Sequence, residues 1–108
     1  MEESDEYETE DSYDSTEEKL RSIDYITQSM SCLVEPDGLL ISAGTNEEEG
    51  QVLYTYNGFL ITVCRLDGGI YVCEIEEDAQ IVDEFQEVNF ETLITQIGKF
   101  IDTHPIQP

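Results

Sequence analysis

The chain has 108 residues and carries 26 Asp or Glu against four Lys or Arg, a formal net charge of −22. Four bases are too few to neutralise a phosphate backbone, which excludes a conventional nucleic-acid binder. The same charge is repelled by anionic membrane surfaces, and no apolar run is long enough to span a bilayer.

The charge is unevenly distributed. Residues 1–18 hold ten acids and no base, whereas the remaining 90 hold 16 acids and four bases. The Leu, Ile, Val and Phe residues all lie in the second part. Residues 1–15 are therefore expected to be a disordered acidic tail. Residues 16–104 are expected to form one α+β domain, and 105–108 a frayed C-terminus. The N-terminus is acidic rather than basic and then apolar, so no signal peptide is expected, and the expected compartment is the cytosol, or a nucleus entered from it. Cys32, Cys64 and Cys73 are an odd set without a secretion signal. They are expected to be reduced, small buried hydrophobes rather than disulfides. Their spacing is no zinc pattern, and the only histidine, His104, is remote in sequence.

In chain order, Ser15 with Glu18 forms a capping box. Leu20, Ile23, Ile26, Met30 and Leu33 recur at helical spacing, which predicts a helix over Thr16–Cys32. Pro36-Asp37-Gly38 turns the chain. Four strands follow: Leu39–Ala43, Gln51–Tyr56, Phe59–Leu66 and Ile70–Glu76. Asn57-Gly58 is a two-residue hairpin signal that pairs Tyr56 with Phe59, Tyr54 with Ile61 and Val52 with Val63. A three-residue loop at Asp67-Gly68-Gly69 then pairs Ile61 with Ile75 and Val63 with Cys73. A two-residue loop would instead place Glu74 and Glu76 on the apolar face. The opposite face, from Leu53 to Glu74, is not polar either, and a helix or a partner is expected over part of it. Ala79–Val88 fits either an irregular edge strand or a packed loop. Asn89 caps a final helix whose stripe is Phe90, Leu93, Ile94, Ile97, Phe100 and Ile101. The expected fold is α+β, a short antiparallel four-stranded sheet flanked by an N-terminal and a C-terminal helix.

Catalytic constellations are missing from the sequence. There is no Gly-x-Ser-x-Gly elbow and no phosphate-cradling glycine loop. His104 lies between Thr103 and Pro105, where a structural role outweighs that of a general base. The acids show no calcium-loop alternation. A non-enzyme without cofactor or metal is expected. The acids left to explain are Glu47, Glu48 and Glu49, then Glu74, Glu76, Glu77 and Asp78, then Asp83 and Glu84. Together they are the expected partner-binding surface, with Tyr54 or Tyr56 in support should either lie outside the core. A rigid array of carboxylates competes for a groove built to hold phosphates and associates fast.

In size, charge and helix–sheet–helix layout with acidic loops, the chain resembles the small acidic DNA-mimic inhibitors of phages and other mobile elements. That class includes uracil-DNA glycosylase inhibitors, anti-restriction proteins and anti-CRISPR proteins. The resemblance implies an inhibitor that occupies the DNA- or RNA-binding site of a basic host protein, without binding nucleic acid or membrane itself. Two further likenesses are shorter. Asp5-Glu6-Tyr7 and Asp83-Glu84-Phe85 look like the acidic-aromatic motif of histone chaperones. Phe59–Ile101 is similar in shape to HicB-type antitoxin domains, implying a basic toxin as partner. A homodimer closed over the second sheet face is a third possibility.

Overall fold

The structure is a computed structural model and describes residues 17–66 and 68–105. The expected tail, the Ser15 cap and the Asp5-Glu6-Tyr7 motif lie outside the described residues. Residues 17–30 are helical (α1), followed by a tight turn of 3-10 helix at Ser31–Leu33. Five strands follow: β1 (Ile41–Asn46), β2 (Gln51–Tyr56), β3 (Phe59–Leu66), β4 (Ile70–Glu77) and β5 (Gln80–Glu87). The chain then enters α2 (Phe90–Thr103), where the Asn89 side chain accepts from the Glu91 N–H at 2.8 Å.

The strands form one antiparallel meander in the order β1-β2-β3-β4-β5. The expected four-stranded sheet is thus corrected to five. Ala79–Val88 supplies the extra strand through a tight turn at Asp78-Ala79. Both turn residues adopt positive φ, 56° and 64°, as Asn57 and Gly58 do at 52° and 87°. This is the twist that closes a two-residue hairpin. Both expected registers are present: Tyr56 pairs with Phe59 and Val52 with Val63, while Val63 pairs with Cys73 and Leu66 with Ile70. β1 begins two residues later than expected and bulges between Ser42 and Gly44. Leu40 makes only an isolated bridge to Val34.

Alternation decides the core. Val52, Tyr54, Tyr56, Phe59, Ile61, Val63, Cys73 and Ile75 form one buried cluster with Ile23, Ile26 and Met30 of α1 and with Phe90, Leu93, Ile97, Phe100 and Ile101 of α2. Both helices therefore pack on the same face of the sheet. Tyr25, Tyr71 and Phe90 join the two helices to β4, both tyrosines meeting Phe90 edge to face, with the Tyr71 and Phe90 rings 4.8 Å apart. The Lys19 ammonium donates to the Glu48 carbonyl at 2.7 Å and ties α1 to the β1–β2 turn. Tyr54 and Tyr56 lie in the core, so neither supports a charged surface. The expectation for the cysteines holds fully at Cys73 alone: it is buried, Cys64 is half-buried and Cys32 is exposed.

The turn between α1 and β1 is tightly bonded. Asp37 N–H and Gly38 N–H both donate to Val34 O, and Leu40 N–H donates to Leu33 O. A side chain at residue 38 would put its Cβ 2.2 Å from the Leu33 carbonyl carbon, so glycine is required there by space.

Candidate functional site

The second face of the sheet is the candidate site. Pairing sets its members. Leu53 and Thr55 alternate with the core residues of β2, and Leu60, Thr62, Cys64 and Leu66 do so on β3. Across β3–β4 these β3 residues meet Glu76, Glu74, Val72 and Ile70. Glu84, Gln86 and Ile81 continue the face on β5, and Ile41 on β1. Neither helix packs there, so of the two expected covers, a helix or a partner, the helix is absent, and among the described residues the face is open. At its centre Val72 is 5% and Thr62 8% exposed. At its margins Ile41 is 51% and Ile81 56% exposed, with Leu66 and Ile70 also open. The result is an apolar middle with acids on the β4–β5 side.

The arrangement of those acids is unfavourable in isolation. Glu74 and Glu84 face each other directly across β4 and β5, and like charges in that position repel. Glu76 is two residues along the same strand and the same face. The chain's four bases are all elsewhere. Lys19 and Arg21 are on α1, and Lys99 is on α2. Arg65 pairs with Tyr71 on the helix side and lines a cleft with Arg21 and Tyr25. Among the described residues the ion pair is Arg21 with Glu17, one turn apart on α1. Among the described residues the open-face carboxylates therefore have no cation to neutralise them.

The remaining expected acids fall into separate places. Glu47, Glu48 and Glu49 are exposed in the β1–β2 turn. Glu77 and Asp78 are exposed at the β4–β5 hairpin. In a five-stranded meander these two turns occupy opposite ends and opposite edges, a diagonal of about 25 Å at ordinary strand spacing and rise. They do not form one contiguous cluster. Glu49 is nonetheless coupled to the open face. Burial, then Glu74 and Glu49, push the Cys64 thiol above its ordinary value, so both carboxylates flank that side chain. Asp83 leaves the open face altogether. It pairs with Ile75 and lines a cleft beside α2 with Gln96, Lys99 and His104.

His104 has a structural position. It closes the C-terminus of α2, and its ring stacks on Phe100 with centroids 4.1 Å apart. Its Nδ1 is 3.0 Å from both Thr103 Oγ1 and the Phe100 carbonyl. Among the described residues no three His, Cys, Asp or Glu side chains converge as metal ligands. Burial, then Asp83, then Cys64 and Glu74 raise the Cys73 thiol well above its usual range, which keeps it protonated and unreactive. Among the described residues no helix is long and apolar enough to cross a membrane.

Fold and site together define a small α+β protein: two helices cover one face of a five-stranded antiparallel meander, and the other face is open and acidic. No protein-family model matches the chain, and no curated protein or solved structure matches it either.

Proposed function

We propose that the protein is a non-enzymatic inhibitor that occupies the basic nucleic-acid-binding site of another protein in the place of nucleic acid. The observation that carries this reading is the Glu74–Glu84 pair on an uncovered sheet face from which every base is absent. The fold gains nothing from that repulsion. A basic groove would convert it into attraction, with Glu76 extending the row and Glu47–Glu49 adding charge at the far corner. The apolar middle, around half-buried Leu53 and Leu60, gives such a complex a desolvated centre, which charge alone does not supply.

The test is capture from a cell lysate on immobilised protein at low and moderate salt. The wild type is expected to retain DNA- or RNA-binding proteins, and the double variant Glu74→Lys/Glu84→Lys to lose them. Recovery of no nucleic-acid-binding protein would overturn the reading. The tail is the natural competitor for this role, because histone- or toxin-binding modules carry affinity in acidic segments. Deleting residues 1–16 separates the two: retention through the open face survives the deletion, whereas retention through the tail does not.

A further inference from the structure

Tyr54 and Tyr56 stand two residues apart on β2, both on the helix side and both buried. Their hydroxyls fare differently. Tyr56 Oη lies 2.7 Å from the His104 carbonyl and 3.2 Å from the Ile101 carbonyl, closing the end of α2. Tyr54 is only 2% exposed, and its hydroxyl has no hydrogen-bond partner among the described residues. A buried hydroxyl left in that state is unfavourable, which marks it as a group that a ligand can satisfy.

Tyr54 lines a cleft of about 250 Å³ beside edge strand β1. Thr27 of α1, Ser31 of the 3-10 turn, Ser42 from β1 and the Val34–Asp37 turn complete its wall. The lining favours a cation. Val34 and Pro36 are apolar, the hydroxyls can accept, and Glu35 and Asp37 supply two carboxylates. The volume falls below the range of drug-sized ligand sites and suits a single side chain. The two carboxylates favour a cationic group, rich in N–H donors and carried on an apolar stem. The guanidinium of arginine has five donors, no acceptor and a three-carbon stem.

We propose that this cleft receives an arginine side chain of the basic partner, with Tyr54 Oη accepting one N–H and Glu35 and Asp37 pairing with the charge. The inference rests on the preceding reading for the identity of the partner as a basic protein. It adds a defined anchor on the helix side of edge strand β1, across the sheet from the open acidic face, and buried arginines in pockets are characteristic anchors of interfaces. The turn that carries Glu35 and Asp37 is rigid, through the bonds to Val34 O and the required Gly38. That wall of the cleft is thus fixed before the partner arrives.

The probe is N-acetyl-arginine methylamide, titrated into the full-length protein and followed by amide NMR shifts at low salt. The citrulline analogue, which keeps the shape without the charge, is the control. Saturable shifts are expected at Thr27, Ser31, Glu35, Asp37 and Ser42, with citrulline at least about tenfold weaker. Glu35→Gln/Asp37→Asn should weaken arginine about tenfold. Tyr54→Phe, which breaks no bond of the fold, should weaken it several-fold. Shifts spread over Glu47–Glu49 and Glu74–Glu84 with none in the cleft would overturn the inference, as would equal binding of citrulline. Capture of nucleic-acid-binding proteins that persists while arginine ignores the cleft refutes this inference alone. Arginine in the cleft without any such capture refutes only the reading of the open face.

Discussion

Glu84→Gln removes one of the two carboxylates that oppose each other across β4 and β5. Directly paired residues bring their Cβ atoms to about 5 Å, and splayed glutamates hold their charges about 6 Å apart. In a water-like dielectric two such charges repel by about 0.7 kcal/mol. Screening is slight at 0.01 M salt, roughly halves the repulsion at 0.15 M, and leaves little at 1 M. The Gln variant should therefore be more stable than the wild type by about 0.6 kcal/mol at low salt and about 0.3 kcal/mol at physiological salt. Glu84→Lys replaces repulsion with attraction and should gain about twice as much. For a domain of this size the Lys variant should melt roughly 5 °C higher at low salt. Thermal melts of the three proteins at 0.01, 0.15 and 1 M salt measure this. Absence of stabilisation at low salt, or a gain that is the same at 1 M, would refute the electrostatic reasoning. The stabilised variants should be the ones that lose partner capture, which separates a surface kept for binding from one kept for folding.

The two buried tyrosines should respond oppositely to loss of the hydroxyl. Tyr56→Phe deletes the contacts to Ile101 O and His104 O and should cost about 1–2 kcal/mol in urea unfolding, whereas Tyr54→Phe should be neutral or slightly stabilising. A large loss in Tyr54→Phe would show that its hydroxyl is already bonded. Gly38→Ala forces a Cβ into the Leu33 backbone and should cost about 3 kcal/mol, with a detectably altered turn by NMR. Wild-type stability at Gly38→Ala would contradict the packing of that turn. Burial pushes the Tyr54 phenol from 10.0 up to about 12. The folded state then holds its proton more tightly than the unfolded state. Stability from this group is complete below pH 10 and is lost as pH rises through 12, by up to about 3 kcal/mol. The difference in unfolding free energy between wild type and Tyr54→Phe, followed from pH 9 to 12, should change in that window and stay flat below it.

Much of the sheet was legible because turn chemistry and register constrain each other. Asn57-Gly58 and the glycine pair at residues 68 and 69 placed β2, β3 and β4 in their observed pairing. Burying Glu74 and Glu76 was the alternative, and its cost decided the loop length. β5 was obscured for two reasons. Its turn uses Ala79 at a φ of 64°, where glycine would have announced a hairpin. A bulge near Ile75 and Glu76 also breaks the alternation, leaving Ile81 and Val82 adjacent instead of alternating with the acids. β1 starts later than the sequence suggests because Leu39 and Leu40 look like strand residues. Leu40 is buried through the turn rather than the ladder, and β1 runs on into polar Thr45 and Asn46. The acids of the candidate site could be named from sequence, but their grouping could not. The Glu74–Glu84 opposition exists only once β5 is placed, and the separation of Glu47–Glu49 from Glu77-Asp78 follows from strand order. The cleft at Tyr54 carried no sequence signal, since β2 presents Tyr54 and Tyr56 identically and only the helix ends distinguish them.

Competition is the most direct measurement of the central claim. A nucleic-acid-binding protein captured by the wild-type chain is titrated with it at several fixed concentrations of duplex DNA or structured RNA. Simple competition is predicted: the apparent Kd rises in proportion to nucleic acid, and Glu74→Lys/Glu84→Lys binds weakly throughout. A ternary complex, or an apparent Kd indifferent to nucleic acid, would contradict it, because the open acidic face would then occupy some other surface of its partner.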